Sequence, residues 1–139
     1  MKILYLKIKS EFFIINQPID PLVKKFLIPT LRRQWMYWPA RQTVLKRCMV
    51  DRGNYRCEIC KQPGFKRNEL QIDHIEPVQV LETKLLTWHD LIIYITRMFV
   101  YENKLQGVCL VCHSLKTSLE TKMRKFYRDQ KKDLDKNKK

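Results

Sequence analysis

Two pairs of cysteines, Cys57-x-x-Cys60 and Cys109-x-x-Cys112, carry the most specific chemistry in the chain. A two-residue gap lets both thiolates of a pair reach one ion from a tight turn, and two such pairs complete a tetrahedral Zn²⁺ site. Such a site is closed: four thiolates leave no coordination position for a substrate, so the ion it holds is structural. The reactive candidates lie beside it. Asp73-His74 and His113, the residue directly after Cys112, supply a carboxylate and two imidazoles. A carboxylate and an imidazole can hold a divalent cation while a second imidazole takes a proton from water. Phosphodiester hydrolysis needs that combination, a base for the nucleophile and a cation for the charge developing on the phosphate and leaving oxygen. The fifth cysteine, Cys48, reads as a small core residue, and His89 as a surface residue.

The chain that must position these groups has 139 residues and a formal net charge of +14. At that length one domain is expected, because a half-size piece buries too little surface to be stable alone. With 45% apolar residues the chain is not a disordered polymer, and no apolar run approaches the roughly 20 residues of a membrane-spanning helix. The opening MKILYLKIKS has too short an apolar stretch between Lys2 and Lys7 for a secretion signal. An intracellular chain with reduced thiols is therefore expected, which favours metal over disulfides. The positive surplus points to a phosphate-rich partner, because Lys and Arg release condensed counterions when they meet phosphates. Eighteen Lys against ten Arg, twelve Ile and a single Ala suggest an AT-rich genome, such as that of a phage or an organelle.

Residues 1–28 mix apolar and basic positions without a period, and Pro18, Pro21 and Pro29 divide them, so short strands or an extended arm are expected. Thr30 is placed to cap a short helix carrying Leu31, Trp35 and Met36. Pro39 then opens a second helix with Val44, Leu45, Cys48 and Met49 on its apolar face, stopping near Gly53. Its other face, with Arg41, Lys46, Arg47 and Arg52, is either solvated or in contact with phosphates. Leu70, Ile72 and His74 share one face of a strand, with Asp73 opposite. Trp88, Leu91, Ile92, Ile95, Met98 and Phe99 form the core stripe of a helix over about 87–99. From Cys112 to about Lys132 the chain reads as a long basic helix, ending in the charged tail Lys131–Lys139.

Three strings resemble the HNH family of nucleases: Tyr55-Arg56-Cys57-Glu58-Ile59-Cys60, Ile72-Asp73-His74-Ile75-Glu76-Pro77-Val78, and Leu105-Gln106-Gly107-Val108-Cys109-Leu110-Val111-Cys112-His113 through Lys116-Thr117. The chain is most similar to small phage HNH proteins, which also place a Trp-containing helix between the Asp-His motif and the second cysteine pair. The resemblance covers about residues 30–125. It implies an α+β fold with a small ββα-metal core, its two strands near 70–75 and 105–108, flanked by helices and an N-terminal arm. The expected parts are an arm at 1–29, an HNH domain at 30–125 and a basic helix end and tail at 126–139. The HNH domain divides into a helical lead-in at 30–52 and a zinc and ββα-metal core at 53–125.

The resemblance also implies roles. Cys57, Cys60, Cys109 and Cys112 would hold structural Zn²⁺, Asp73 and His113 a catalytic Mg²⁺ or Mn²⁺, and His74 would be the general base. The family's middle Asn, nine residues before its last His, braces the loop that aims this base. Here that position is Lys104, which cannot accept hydrogen bonds, and Asn103 stands one residue early; a one-residue bulge would return the role to Asn103. Arg41, Arg47, Lys116, Lys122, Arg124 and Lys125 are the expected nucleic-acid contacts. The expected activity is metal-dependent nicking or cutting of duplex DNA, with RNA as another possible partner, no membrane partner, and a protein partner possible for residues 1–28. The expected setting is the cytoplasm of a phage-infected cell or an organelle matrix. The alternative, favoured by the displaced Asn, is a catalytically weak or inactive HNH-fold protein serving as a structural subunit of a ribonucleoprotein such as an organellar ribosome.

Overall fold

The computed structural model describes residues 15–80 and 84–136. The expectations for residues 1–14 and for the last three lysine-tail positions lie outside them. In chain order the elements are α1 (Pro21–Trp35), α2 (Pro39–Cys48), β1 (Met49–Asp51), β2 (Asn54–Tyr55), β3 (Leu70–His74), α3 (Trp88–Met98), β4 (Leu105–Cys109) and α4 (Leu110–Lys136). Single 3-10 turns at Arg67–Glu69 and Glu102–Lys104 precede β3 and β4. The class is α+β, as expected, with two separate antiparallel pairs, β1–β2 and β3–β4.

The start of the described chain departs most from the sequence expectation. Asp20 caps α1, its Oδ1 accepting from the Leu22 N–H (2.7 Å) and the Val23 N–H (3.3 Å). Pro21 takes the first position, where its missing N–H has no helical partner to lose. The helix then runs through Pro29 and across the expected boundary at 29/30. Pro29 removes one rung without ending the helix, because residues on both sides of it are anchored. Leu27, Ile28, Leu31 and Trp35 pack on a core of Ile19, Leu85, Leu91, Tyr94 and Met98. Thr30, expected as a cap, lies mid-helix with its hydroxyl donating to the Phe26 carbonyl (2.9 Å). Residues 17–19 are tied in as well: the Ile19 N–H donates to Leu86 O (2.9 Å) and the Trp88 N–H to Gln17 O (3.2 Å).

The second helix begins at Pro39 as expected but stops at Cys48. Gly53, with φ of +80°, instead makes the β1–β2 turn. Val44 and Cys48 are buried, and Met49 turns outward in β1. The third helix matches its expectation closely, closed by a capping box in which Thr87 Oγ1 accepts from the Asp90 N–H (3.2 Å) and Asp90 Oδ2 from the Thr87 N–H (2.8 Å). Leu91, Tyr94 and Met98 are its buried face, while Ile92 faces outward.

β3 and β4 pair without interruption from Leu70↔Cys109 to His74↔Leu105, and Leu70, Ile72 and His74 point into the protein as the alternation requires. A core of Ala40, Val44, Cys48, Tyr55, Leu70, Ile72 and Leu105 lies between α2 and this pair. Gly107 permits that approach: a β-carbon there would collide with Cys48 Sγ and press on Leu70. We predict that Gly107→Ala destabilises the protein by about 1–3 kcal/mol through overpacking. Adding Cys48→Ala should recover much of that loss. Purely additive effects in denaturant unfolding would contradict this account.

Candidate metal centre and adjoining cleft

Cys57 and Cys60 lie on a turn that follows β2. The turn is closed by the Cys57 N–H donating to Gln62 O (3.0 Å) and by Lys61 in the left-handed region at φ 63°. Cys109 ends β4 and Cys112 lies in the first turn of α4. The four sulfurs lie within 4.8 Å of one another. A tetrahedral Zn–S site places sulfurs roughly 3.8 Å apart, so a small contraction would seat one ion, and the cluster could hold a structural metal such as zinc. The surroundings favour a thiolate at Cys57. Burial alone would push the Cys57 thiol up. The N–H of Cys109 (3.3 Å to Cys57 Sγ), the N–H groups of Cys60 and Ile59 and the Cys60 thiol outweigh it and bring Cys57 to about 7. Burial and hydrogen bonds to the other three thiols push Cys112 up to about 12. Thiolates this close repel one another, and a divalent cation removes that repulsion.

A second fastening lies beside the cysteines. Arg47 forms a bidentate pair with Glu58 (2.8 and 3.0 Å) and also donates to Leu105 O (2.9 Å) and Glu102 O (3.1 Å). Glu58 in turn holds Gly107 at both ends. Its carboxylate accepts from the Gly107 N–H (2.7 Å), and its own N–H donates to Gly107 O (2.8 Å). Burial raises the Glu58 carboxyl, but Arg47 and the Gly107 N–H hold it below the usual carboxylate range.

Asp73, His74 and His113 meet at an open cleft of about 490 Å³. β3 presents the first two, and α4, emerging directly from β4, brings His113 Nε2 to 4.0 Å from Asp73 Oδ1. His74 is 8% exposed, stacked on Trp35 with ring centroids 4.3 Å apart and Nε2 2.8 Å from Met98 O. A carbonyl only accepts, so the neutral ring carries its proton on Nε2 and keeps its basic lone pair on Nδ1. Burial lowers the His74 pKa, and the charges of Lys116 and Arg41 lower it further; Met98 O and Asp73 oppose them without prevailing. Lys116 lies close by: its ammonium is 2.8 Å from Asp73 Oδ2, 2.7 Å from His74 O and 2.8 Å from Glu120 Oε1. These partners keep Lys116 charged despite burial that would lower its pKa.

The structure thus gathers the four cysteines in one cluster and Asp73, His74 and His113 in one cleft. Asn103 is not among them. The β3–β4 pairing has no bulge, and Asn103 is exposed on the 3-10 turn. At Lys104 it is the backbone that reaches β3's end, its carbonyl accepting from the Ile75 N–H (3.0 Å), while its ammonium is 3.6 Å from Glu76. Of the basic residues expected at phosphates, Lys122 and Lys125 are exposed on α4 and Arg124 is half-buried near Glu120. Lys116 and Arg47 are engaged in ion pairs, and Arg41 is buried at the cleft wall.

Sequence reasoning missed Trp35, Arg67 and Glu58. Trp35 continues the Leu27–Leu31 spacing on α1, a signal that Pro29 obscured, and Glu58 stands between two cysteines without a periodic signature. In comparison with known proteins, no family model, no curated protein and no solved structure matches the chain. Among the described residues no helix is long and apolar enough to cross a membrane.

We predict about one tightly held Zn²⁺ per chain, with Cys109→Ser lowering both metal content and melting temperature. A stable, well-folded, zinc-free preparation would refute it. Acid stability gives a second check. Because the folded Glu58 carboxyl titrates below its unfolded value, the unfolded chain binds more protons in that window. The contribution of Glu58 is therefore complete above the usual carboxylate range and lost as pH falls through it. Glu58→Gln should lower stability at neutral pH and flatten its fall on acidification.

Proposed function

We propose that this chain is a metal-dependent endonuclease of the HNH type that nicks or cuts duplex DNA. The observation that carries the reading is the convergence of Asp73 and His113 at 4.0 Å, beside a neutral, buried His74. The order β3, β4, α4 agrees with the strand, strand, helix arrangement that the resemblance implies. A divalent cation bound by Asp73 and His113 would neutralise charge on the scissile phosphate and leaving oxygen. His74 takes the proton of the attacking water at Nδ1, while Met98 O and the Trp35 ring hold the imidazole in orientation. The +14 charge supplies attraction to the backbone without sequence discrimination.

Lys116 favours a second reading. Its ammonium already pairs with Asp73, so a positive charge of the chain itself stands where the cation would bind. On that reading the protein is a weak or inactive relative that binds nucleic acid as a ribonucleoprotein subunit.

A supercoiled plasmid assay separates the two. The nuclease reading expects relaxation in Mg²⁺ or Mn²⁺ that EDTA abolishes. His74→Ala should lower the rate roughly a hundredfold or more with DNA affinity nearly unchanged. Asp73→Ala and His113→Ala should be partly relieved by more metal, Lys116→Gln should lower the metal concentration required, and exposed Asn103→Ala should have no effect. Tight, salt-sensitive binding with no metal-dependent cleavage of duplex or single strand would transfer the conclusion to the second reading.

A further inference from the structure

The cleft wall beside Asp73 and His74 holds two guanidiniums that no acid among the described residues neutralises. Arg41 comes from α2 and Arg67 from the 3-10 turn before β3, and both line the same cleft as Asp73, His74 and His113. Among the described residues no carboxylate lies within ion-pairing distance of either, whereas Arg47 has Glu58 and Arg97 has Glu76. Arg41 is only 9% exposed, yet among the described residues its guanidinium makes one hydrogen bond, a 3.4 Å contact to Ile72 O. Its guanidinium carbon stands 4.8 Å over the Trp35 ring, which fixes the plane of the group. Arg67 is exposed and gives one N–H to Leu70 O (3.1 Å).

A buried charge is costly unless something pairs with it, and among the described residues no carboxylate stands within ion-pairing distance of Arg41. Burial, then the charge of Arg67, lowers the pKa of Arg41, so the pair stands under electrostatic strain that an anion would relieve. Guanidiniums present planar forks of N–H donors that match phosphate oxygens two at a time. The same open cleft is lined by Asp73, His74 and His113, so an anion held by the guanidiniums would lie in the same space as those groups.

We propose that Arg41 and Arg67 form a phosphate subsite that holds a backbone phosphodiester of the bound nucleic acid, next to the one presented to Asp73, His74 and His113. The polymer named here rests on the proposed function; the anion chemistry does not.

The test measures binding without added Mg²⁺ or Mn²⁺, so that it does not depend on cleavage and leaves the structural zinc in place. Arg67→Gln is the main variant, since its exposed side chain can be changed without unfolding the protein, as melting temperature would verify. Its affinity for a short duplex should fall by about tenfold, and the slope of log affinity against log salt should drop by about one contact. Arg67→Lys should restore the slope but only part of the affinity. Arg52→Gln, an equal loss of charge on the β1–β2 turn, should change both less. In a second arm, inorganic phosphate should raise the melting temperature of the wild type more than that of Arg67→Gln. If phosphate binding depends on Arg67 but no duplex binds, the subsite stands and the nuclease reading fails. If neither ligand distinguishes Arg67→Gln from the wild type, the subsite is refuted.

Discussion

The cleft depends on β4 being held along both of its edges. On one side it pairs with β3 over five residues. On the other, Glu58 grasps Gly107 through its main chain and its carboxylate, and Arg47 secures that carboxylate while bonding the chain on either side of the Glu102–Lys104 turn. Because Cys109 ends the strand and α4 starts at the next residue, the position of β4 also sets where His113 and Lys116 emerge. A shift of one residue in pairing would turn Asp73 inward and His74 outward. The fastening of one short strand therefore decides the geometry of groups on three elements.

Charge is distributed unevenly around this frame. A chain with twice as many basic as acidic residues uses its few carboxylates at chosen points: Glu58 on Arg47, Glu120 and Asp73 on Lys116, Glu76 between Arg97 and Lys104. The guanidiniums of Arg41 and Arg67 are left out of that pairing, and both face the cleft. Such an arrangement costs stability, and an anion bound between the two would offset that cost.

Much of the site was legible because its signals are local. The Cys-x-x-Cys spacing, the Leu70–Ile72–His74 alternation and the Trp88–Phe99 periodicity each state a geometry within a few residues, and each was found where it was expected. Helix α1 was not legible, since the Pro29 break is a local rule that a tertiary anchor overrides, and Asp20 as cap is evident only once the helix is seen to begin there. Arg41, Arg47 and Lys116 illustrate the other limit. A basic residue on a helix reads as a surface charge until its partner on another element is known; Glu58, Asp73 and the Trp35 ring supplied those partners. Asn103 and Lys104 differ by one position, and only the regular pairing through Leu105 shows which of them faces the Ile75 backbone.

Trp35 belongs to two cores at once, packing against the α2–β3–β4 cluster and against the α1–α3 cluster, and it also lies on the His74 ring. Opening either cluster therefore disturbs a side chain of the other. A fluctuation that peels α1 from α3 withdraws the indole from the imidazole, and one that loosens β3 removes support from α1. Opening of the two clusters is thereby coupled through one side chain, and that side chain forms part of the cleft wall. Slow breathing of the helical layer would thus be felt as heterogeneity in the orientation of His74.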